Sequence, residues 1–171
     1  MKKKGDLFSY IIKRSIFSET ELNILILPLL KAVQYIHALG IVHGDIKPEN
    51  ILFDPDNPSE LKLTDFGLSK IILSDNKLTN KCGTLSYVAP EVLLYQGYDM
   101  KADMWSIGVI MYLLFYGKMP FDSEKEKDIY NNILIKELSI ENTLISGLLK
   151  KNPIDRLNSE DSIKLISYLD F

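Results

Sequence analysis

Apolar positions along this chain recur first at helical spacing, then at strand spacing, then at helical spacing again. Leu7, Phe8, Ile11 and Ile12 fall on one side of a helix, so a short amphipathic helix is predicted to open the chain. Ser18 and Glu21 follow as a capping-box pair, in which each side chain satisfies the other's backbone donor. Leu22, Leu25, Ile26, Leu29, Val33 and Ile36 then keep to one helical face, with Gly40 as the predicted stop. Pro28 lies inside this helix and removes one of its hydrogen bonds, so a kink is expected there.

After Gly40 the pattern breaks into short apolar pieces. Ile41-Val42, Ile51-Leu52-Phe53 and Leu61-Lys62-Leu63 are predicted as brief strands, the last two separated by the turn-rich Asp54-Pro55-Asp56-Asn57-Pro58. From Ser69 to Ser86 the chain is polar and weakly patterned, which predicts a long surface segment; such segments in compact domains are usually functional. Helical patterning then returns. A short helix is predicted from Tyr87 or Pro90 to Tyr95, a long apolar one over Lys101–Tyr116, and three more over Ser123–Lys136, Asn142–Lys151 and Ser159–Leu169. With no internal repeat and no low-complexity linker, residues 1–171 are expected to form one domain, mainly α with a small β-ribbon inserted after the second helix.

Composition narrows the class of function. A hydrophobic fraction of 46% and a charged fraction of 25% are ordinary for a globular domain and exclude disordered and collagen-like chains. The net charge of -3 argues against nucleic acid as a partner held by bulk electrostatics. Tyr10, Tyr35, Tyr87 and Tyr112 are too scattered to form a stacking platform for bases, and Lys2-Lys3-Lys4 reads as a solvated lead-in. The single cysteine, Cys82, cannot make an internal disulfide, so an intracellular, cytoplasmic setting is expected. The N-terminus has charges but not the apolar run and cleavage site of a secretory signal. The most apolar stretch, Trp105 to Gly117, is well short of the ~20 residues of a membrane span, so a buried core helix is expected and no membrane partner. His37 and His43 lack metal-ligand spacing with cysteine or acidic neighbours, so no zinc site is expected.

The chemistry is concentrated in three motifs. His43-Gly44-Asp45-Ile46-Lys47-Pro48-Glu49-Asn50 comes first, Asp65-Phe66-Gly67 follows the ribbon, and Ala89-Pro90-Glu91 closes the polar segment. Singly, their acidic and amide residues are ordinary turn-formers. In this order, at loop-compatible spacing, they resemble the signature set of protein kinases. Phosphoryl transfer gathers negative charge that metal ions must bridge, and a hydroxyl nucleophile must be oriented and relieved of its proton. Asn50 and Asp65 offer the hard oxygen atoms that Mg²⁺ prefers.

On these residues the chain resembles a eukaryotic protein kinase of the serine/threonine type, and within it the large, mostly helical C-terminal lobe. The resemblance implies ATP and Mg²⁺ as cofactors and a protein hydroxyl as substrate. It implies catalytic roles for Asp45, as base, for Lys47, at the transferred phosphate, and for Thr84, bonded to both. It places Lys47, Glu49, Asn50 and Asp65 on the nucleotide side, with Asn50 and Asp65 at the metal. Lys47 and Thr84 are the serine/threonine markers. The segment from Lys81-Cys82-Gly83-Thr84 to Glu91 resembles the substrate-docking end of an activation segment. Its wording, with Leu61 to Lys70, is similar to the calcium/calmodulin-dependent kinase group. Leu85 stands where relatives often have proline. Asp103 is expected to hold the backbone of the catalytic loop, and Glu91 to pair with Arg156.

Three departures accompany the resemblance. The family's glycine-rich loop, its phosphate-pairing lysine and that lysine's glutamate partner do not occur in these residues. The stretch Gly5 to Ile11 resembles the helix that follows the hinge, so a separate N-terminal lobe or regulatory partner is expected to complete the nucleotide site. The alternative is a non-catalytic, pseudokinase-like or truncated interaction module. Gly44 replaces the arginine that in the family receives the phosphate of an activated loop, so phosphorylation of Thr79 or a neighbour is not expected to order the loop through this position. The connection between Ile135 and Ile145 is shorter than in relatives.

Overall fold

A computed structural model describes residues 5–14, 16–54, 57, 60–72, 77–79 and 83–169. A two-residue strand, β1 (Gly5–Asp6), leads into α1 (Leu7–Ile11), where the Asp6 carboxylate accepts from Ser9 N at 2.6 Å and caps the helix. The long helix α2 (Glu19–Ala38) starts at the predicted capping box, with Ser18 N donating to Glu21 Oε2 at 3.0 Å and Glu21 N to Ser18 Oγ at 3.4 Å. It runs through Pro28 as a single element. The carbonyl of Ile24, which loses its N–H partner to the proline, belongs to an exposed residue, where water can replace the missing donor.

The ribbon is more extensive than its sequence predicts. β3 (Ile51–Phe53) pairs antiparallel with β4 (Lys62–Leu63), Ile51 opposite Leu63, as expected. β1 adds to the other edge of β3, making a three-stranded sheet in the order β1-β3-β4. β2 (Ile41–Val42) pairs with β5 (Lys70–Ile71), so the segment read as polar surface from Ser69 onward begins as a strand. Lys70 and Ile71 are exposed, which is why no apolar alternation marks them.

The helical half is built around α4 (Lys101–Tyr116), whose residues are buried on nearly every side. It packs between α2 and α6 (Thr143–Leu148), while α7 (Ser159–Leu169) lies against α2. Three predicted helices are shorter than expected. α5 spans Glu126–Ile135, and α6 is capped by Asn142, whose side chain accepts from Ile145 N at 3.0 Å, but ends at Leu148. The chain beyond α6 leaves the helix because the Gly147 carbonyl, which a further turn would need for Lys151 N, accepts from Leu157 N at 3.1 Å, while Arg156 takes the carbonyls of Lys150 and Lys151 at 3.0 and 3.3 Å. The short helix α3 is Pro90–Leu93, preceded by a 3₁₀ turn at Leu85–Tyr87; Tyr95 has a left-handed φ of 55° and lies beyond the helix. Among the described residues no helix is long and apolar enough to cross a membrane. Lys2–Lys4, part of the Asp54–Pro58 turn, Lys81 and Cys82 lie outside the described residues.

Candidate active site

The three motifs converge because one buried carboxylate gathers the loop that carries the first of them. Asp103, in the first turn of α4, is 1% exposed. Its Oδ2 accepts from His43 N at 2.9 Å and its Oδ1 from Gly44 N at 2.9 Å, while His37 Nε2 at the end of α2 lies 2.8 Å from Oδ2. A buried carboxylate needs this many donors to offset its lost hydration. Asp103 therefore holds the catalytic loop to the core, as the resemblance implied. The share taken by His37 is an addition, since a partner 66 residues away leaves no local signal.

The His43 ring is fully buried and orders the next step of the chain. Its Nδ1 accepts from Asp45 N at 3.3 Å, so Nε2 carries the proton that reaches Thr64 O at 3.0 Å. Thr64 is tied to the loop again by Thr64 N to Asn50 O at 2.9 Å and Thr64 Oγ1 to the same carbonyl at 3.0 Å. Ser69 Oγ donates to His43 O at 3.1 Å, and the Phe66 ring packs edge-on against the His43 ring at 4.8 Å. These bonds, unforeseen from the sequence, bring Asp65-Phe66-Gly67 alongside Asn50.

Around Asp45 the predicted residues form one hydrogen-bonded cluster. Thr84 donates to Asp45 Oδ1 from both its N and its Oγ1, each at 3.1 Å. Lys47 Nζ lies 2.8 Å from Asp45 Oδ2 and 2.9 Å from Thr84 Oγ1. Asn50 Nδ2 donates to Asp45 O at 2.9 Å and to its Oδ2 at 3.2 Å. The carboxylate thus accepts four bonds, and the Lys47 ammonium keeps one N–H uncommitted among the described residues. Gly83 makes the close approach possible: with φ of 93°, an added Cβ there would lie 2.8 Å from Gly44 O.

Asp65 and Glu49 sit differently. Asp65 is exposed at a left-handed φ of 61°, with Oδ1 accepting from Gly67 N at 3.3 Å, and its carboxylate remains open to solvent. Glu49 is exposed on the 3₁₀ turn Pro48–Asn50 and makes no hydrogen bond within the cluster. Its charge is felt instead at Tyr87, whose phenol is pushed up to about 12, by burial first and then by Glu49.

Burial pushes the Asp45 carboxyl up, but the Lys47 ammonium and the two bonds from Thr84 outweigh it and hold the group below its ordinary value. Asp45 is therefore ionised at neutral pH. Any stability it adds is present above the ordinary carboxylate range and is lost as pH falls through its own lower value. Lys47→Met leaves burial less opposed, and the Asp45 pKa is expected to rise. Carboxyl ¹³C titration checks this, and an unmoved or lowered value contradicts it.

Among the described residues, no group of three or more His, Cys, Asp or Glu side chains is placed to hold a metal ion by itself. Mg²⁺ does not require one, since it is usually bound through one or two protein oxygens together with substrate phosphates and water. The Asn50 Oδ1, free of any partner among the described residues, and the open Asp65 carboxylate fit that donor set. Behind the loop, Gly44, Asp45, Thr84, Tyr87, Asp103 and Ser106 border a cavity of about 20 Å³, enough for one water and too small for a substrate. A ligand therefore has to approach from the exposed side that carries Asp65.

The second charged anchor lies below this site. Arg156, 1% exposed, makes a bidentate pair with Glu91, 3% exposed, at 2.7 and 2.9 Å. Its remaining donors reach Lys101 O, Lys150 O and Lys151 O, so all five guanidinium N–H groups are used. This pair fastens the Ala89-Pro90-Glu91 motif, and with it the segment carrying Thr84, to the helical core.

The comparisons with known proteins agree with this geometry. The family model described as "Protein kinase domain" matches residues 1–169. The chain is 38% identical over 173 residues to a serine/threonine-protein kinase H1 homolog of Pinctada fucata, covering 94% of this chain and 42% of that protein. It is 46% identical over 131 residues to myosin light chain kinase A of Dictyostelium discoideum, covering 76% of this chain and 44% of that one. The chain spans less than half the length of the curated relatives it matches. With its motifs folded into one cluster and the family match running nearly end to end, the chain belongs to the protein kinase domain family, on its serine/threonine side.

Proposed function

We propose that this chain is the catalytic lobe of a serine/threonine protein kinase, transferring the γ-phosphoryl group of ATP to a protein hydroxyl. The observation that carries the reading is the bonded set of Asp45, Lys47, Thr84 and Asn50, with Asp65 alongside. A chain kept only for packing has no need of an ionised carboxylate with an ammonium and a hydroxyl held against it, since partly exposed polar sets add little stability.

In this reading Asp45 orients the incoming hydroxyl and takes its proton. Its four acceptor positions are filled, so one bond must yield, and the 3.2 Å contact from Asn50 is the longest. Lys47 offers its uncommitted N–H to the moving phosphoryl oxygens. Thr84 fixes Asp45 and Lys47 relative to each other and joins them to the segment that presents the substrate. Asn50 and Asp65 would hold Mg²⁺, which when bound neutralises charge on the phosphates. Glu49 is placed by the resemblance on the nucleotide side, and a separate N-terminal lobe or partner would supply the remaining walls. The kinship to the calcium/calmodulin-dependent kinase group and a cytoplasmic location belong to the same reading. The test is phosphoryl transfer to peptide libraries. Serine and threonine peptides are expected to be labelled and tyrosine peptides not; labelling confined to tyrosine would overturn the assignment.

The loop is read as independent of phosphorylation. Gly44 brings no charge to it, and the described part is already docked: Leu78 and Tyr98 exchange backbone bonds of 2.9 and 2.8 Å. Phosphorylation of Thr79, which is exposed, is expected to leave hydrogen exchange across residues 77–98 unchanged. Strong new protection would contradict this.

A further inference from the structure

The largest cavity among those described, about 260 Å³, has no part in the catalytic cluster. It lies where Lys136 to Ile140, the connection between α5 and α6, faces the end of α6 and Phe121. Its volume is close to the lower end of small-molecule pockets, ~300 Å³. Phe121, Leu138, Ile140 and Leu149 supply apolar walls, while Lys136, Lys150 and Lys151 bring positive charge against a single acid, Glu137.

None of these lysines is neutralised within the described residues. The Lys150 ammonium has no hydrogen-bond or ion-pair partner there, and Lys136 Nζ bonds only the carbonyl of Pro120, at 3.1 Å. Lys151 is the most confined: its Nζ reaches Ile133 O at 2.7 Å and Asn132 O at 3.4 Å and lies 4.6 Å from the centre of the Phe121 ring. Burial holds its ammonium below the ordinary lysine value; Glu137 offsets this in part, and the like charge of Lys136 adds to it. The Ser146 hydroxyl on the same wall also lacks a partner among the described residues.

We propose that this cavity binds a small organic anion, with an apolar body against Phe121 and Leu149 and a carboxylate or phosphate on Lys151 and Lys150. An anion offsets the cost of the half-dehydrated Lys151 charge, which a neutral ligand leaves in place. The apolar walls favour a compact ligand with a hydrophobic portion over an extended acidic chain, whose charges would lie against them. The proposal is independent of the catalytic reading and uses none of its residues.

The experiment is titration of the folded chain with 4-phenylbutyrate, followed by amide NMR and calorimetry, alongside 4-phenylbutanol, inorganic phosphate and hexaglutamate. Saturable binding of 4-phenylbutyrate is expected, with shifts at Ile140, Leu149 and Lys151. The loss of one charge-assisted bond should weaken it roughly tenfold or more in Lys151→Met. Lys150→Gln, at an exposed position, tests the same charge without risk to folding and is expected to weaken binding in the same direction. Melting curves show that each variant is folded. Equal binding of 4-phenylbutanol, or unchanged affinity in both folded lysine variants, overturns the proposal. So does lysine-dependent binding of hexaglutamate without 4-phenylbutyrate, which would mark a docking face for an acidic chain.

Discussion

Arg156→Ala is expected to lower the unfolding free energy by about 3–5 kcal/mol, the range for stranding one member of a buried ion pair. Glu91 would keep its charge at 3% exposure with neither of its guanidinium bonds, and three backbone carbonyls would lose a donor as well. The effect exceeds that of an ordinary surface pair because water cannot replace what is lost. Removing both charges together, as Glu91→Gln with Arg156→Met, should cost less than Arg156→Ala alone, because no charge is then left buried. Denaturant unfolding measures both. An Arg156→Ala curve that overlays the parent's would show that the pair contributes little.

The second large effect concerns rate. Asp45→Asn keeps the side chain's shape and removes its capacity to take a proton, and phosphoryl transfer is expected to fall by about 10²–10⁴-fold, the range for one positioned acid–base group. The loss should appear in kcat with little change in KM for ATP, since in this reading Asp45 meets the protein hydroxyl and not the nucleotide. Initial rates on a serine peptide check this. A variant within threefold of the parent would remove Asp45 from the role of base.

Much of this was legible in the sequence, for reasons tied to particular residues. α2 and α7 were readable because their apolar positions recur at helical spacing; the capping box at Ser18 and Glu21 gave α2 its start. The site was readable because its residues stand in three compact motifs, and the resemblance supplied Asp103 and the Glu91–Arg156 pair. Two-residue strands such as β1 and β5 leave no period to detect, and their pairing depends on partners tens of residues away. The end of α6 was missed because its Gly147 carbonyl is taken by Leu157 N, on a returning turn that carries no periodic signal. His37, Thr64 and Ser69 were missed for a similar reason: each acts through a bond to a backbone or carboxylate group that only the fold brings near.

Asn50 and Asp65 are proposed to offer their oxygens to one nucleotide-bound cation, and calorimetric titration of the chain with ATP, with and without Mg²⁺, is the sharpest check of that pairing. Asp65→Asn is the informative control, because asparagine tolerates the left-handed backbone of that exposed position while removing the charge. Mg²⁺-dependent ATP binding is expected for the parent, with loss of it in a folded Asp65→Asn variant. ATP binding of equal strength with and without the metal, or Mg²⁺-dependent binding that the folded Asp65→Asn variant keeps in full, would contradict it.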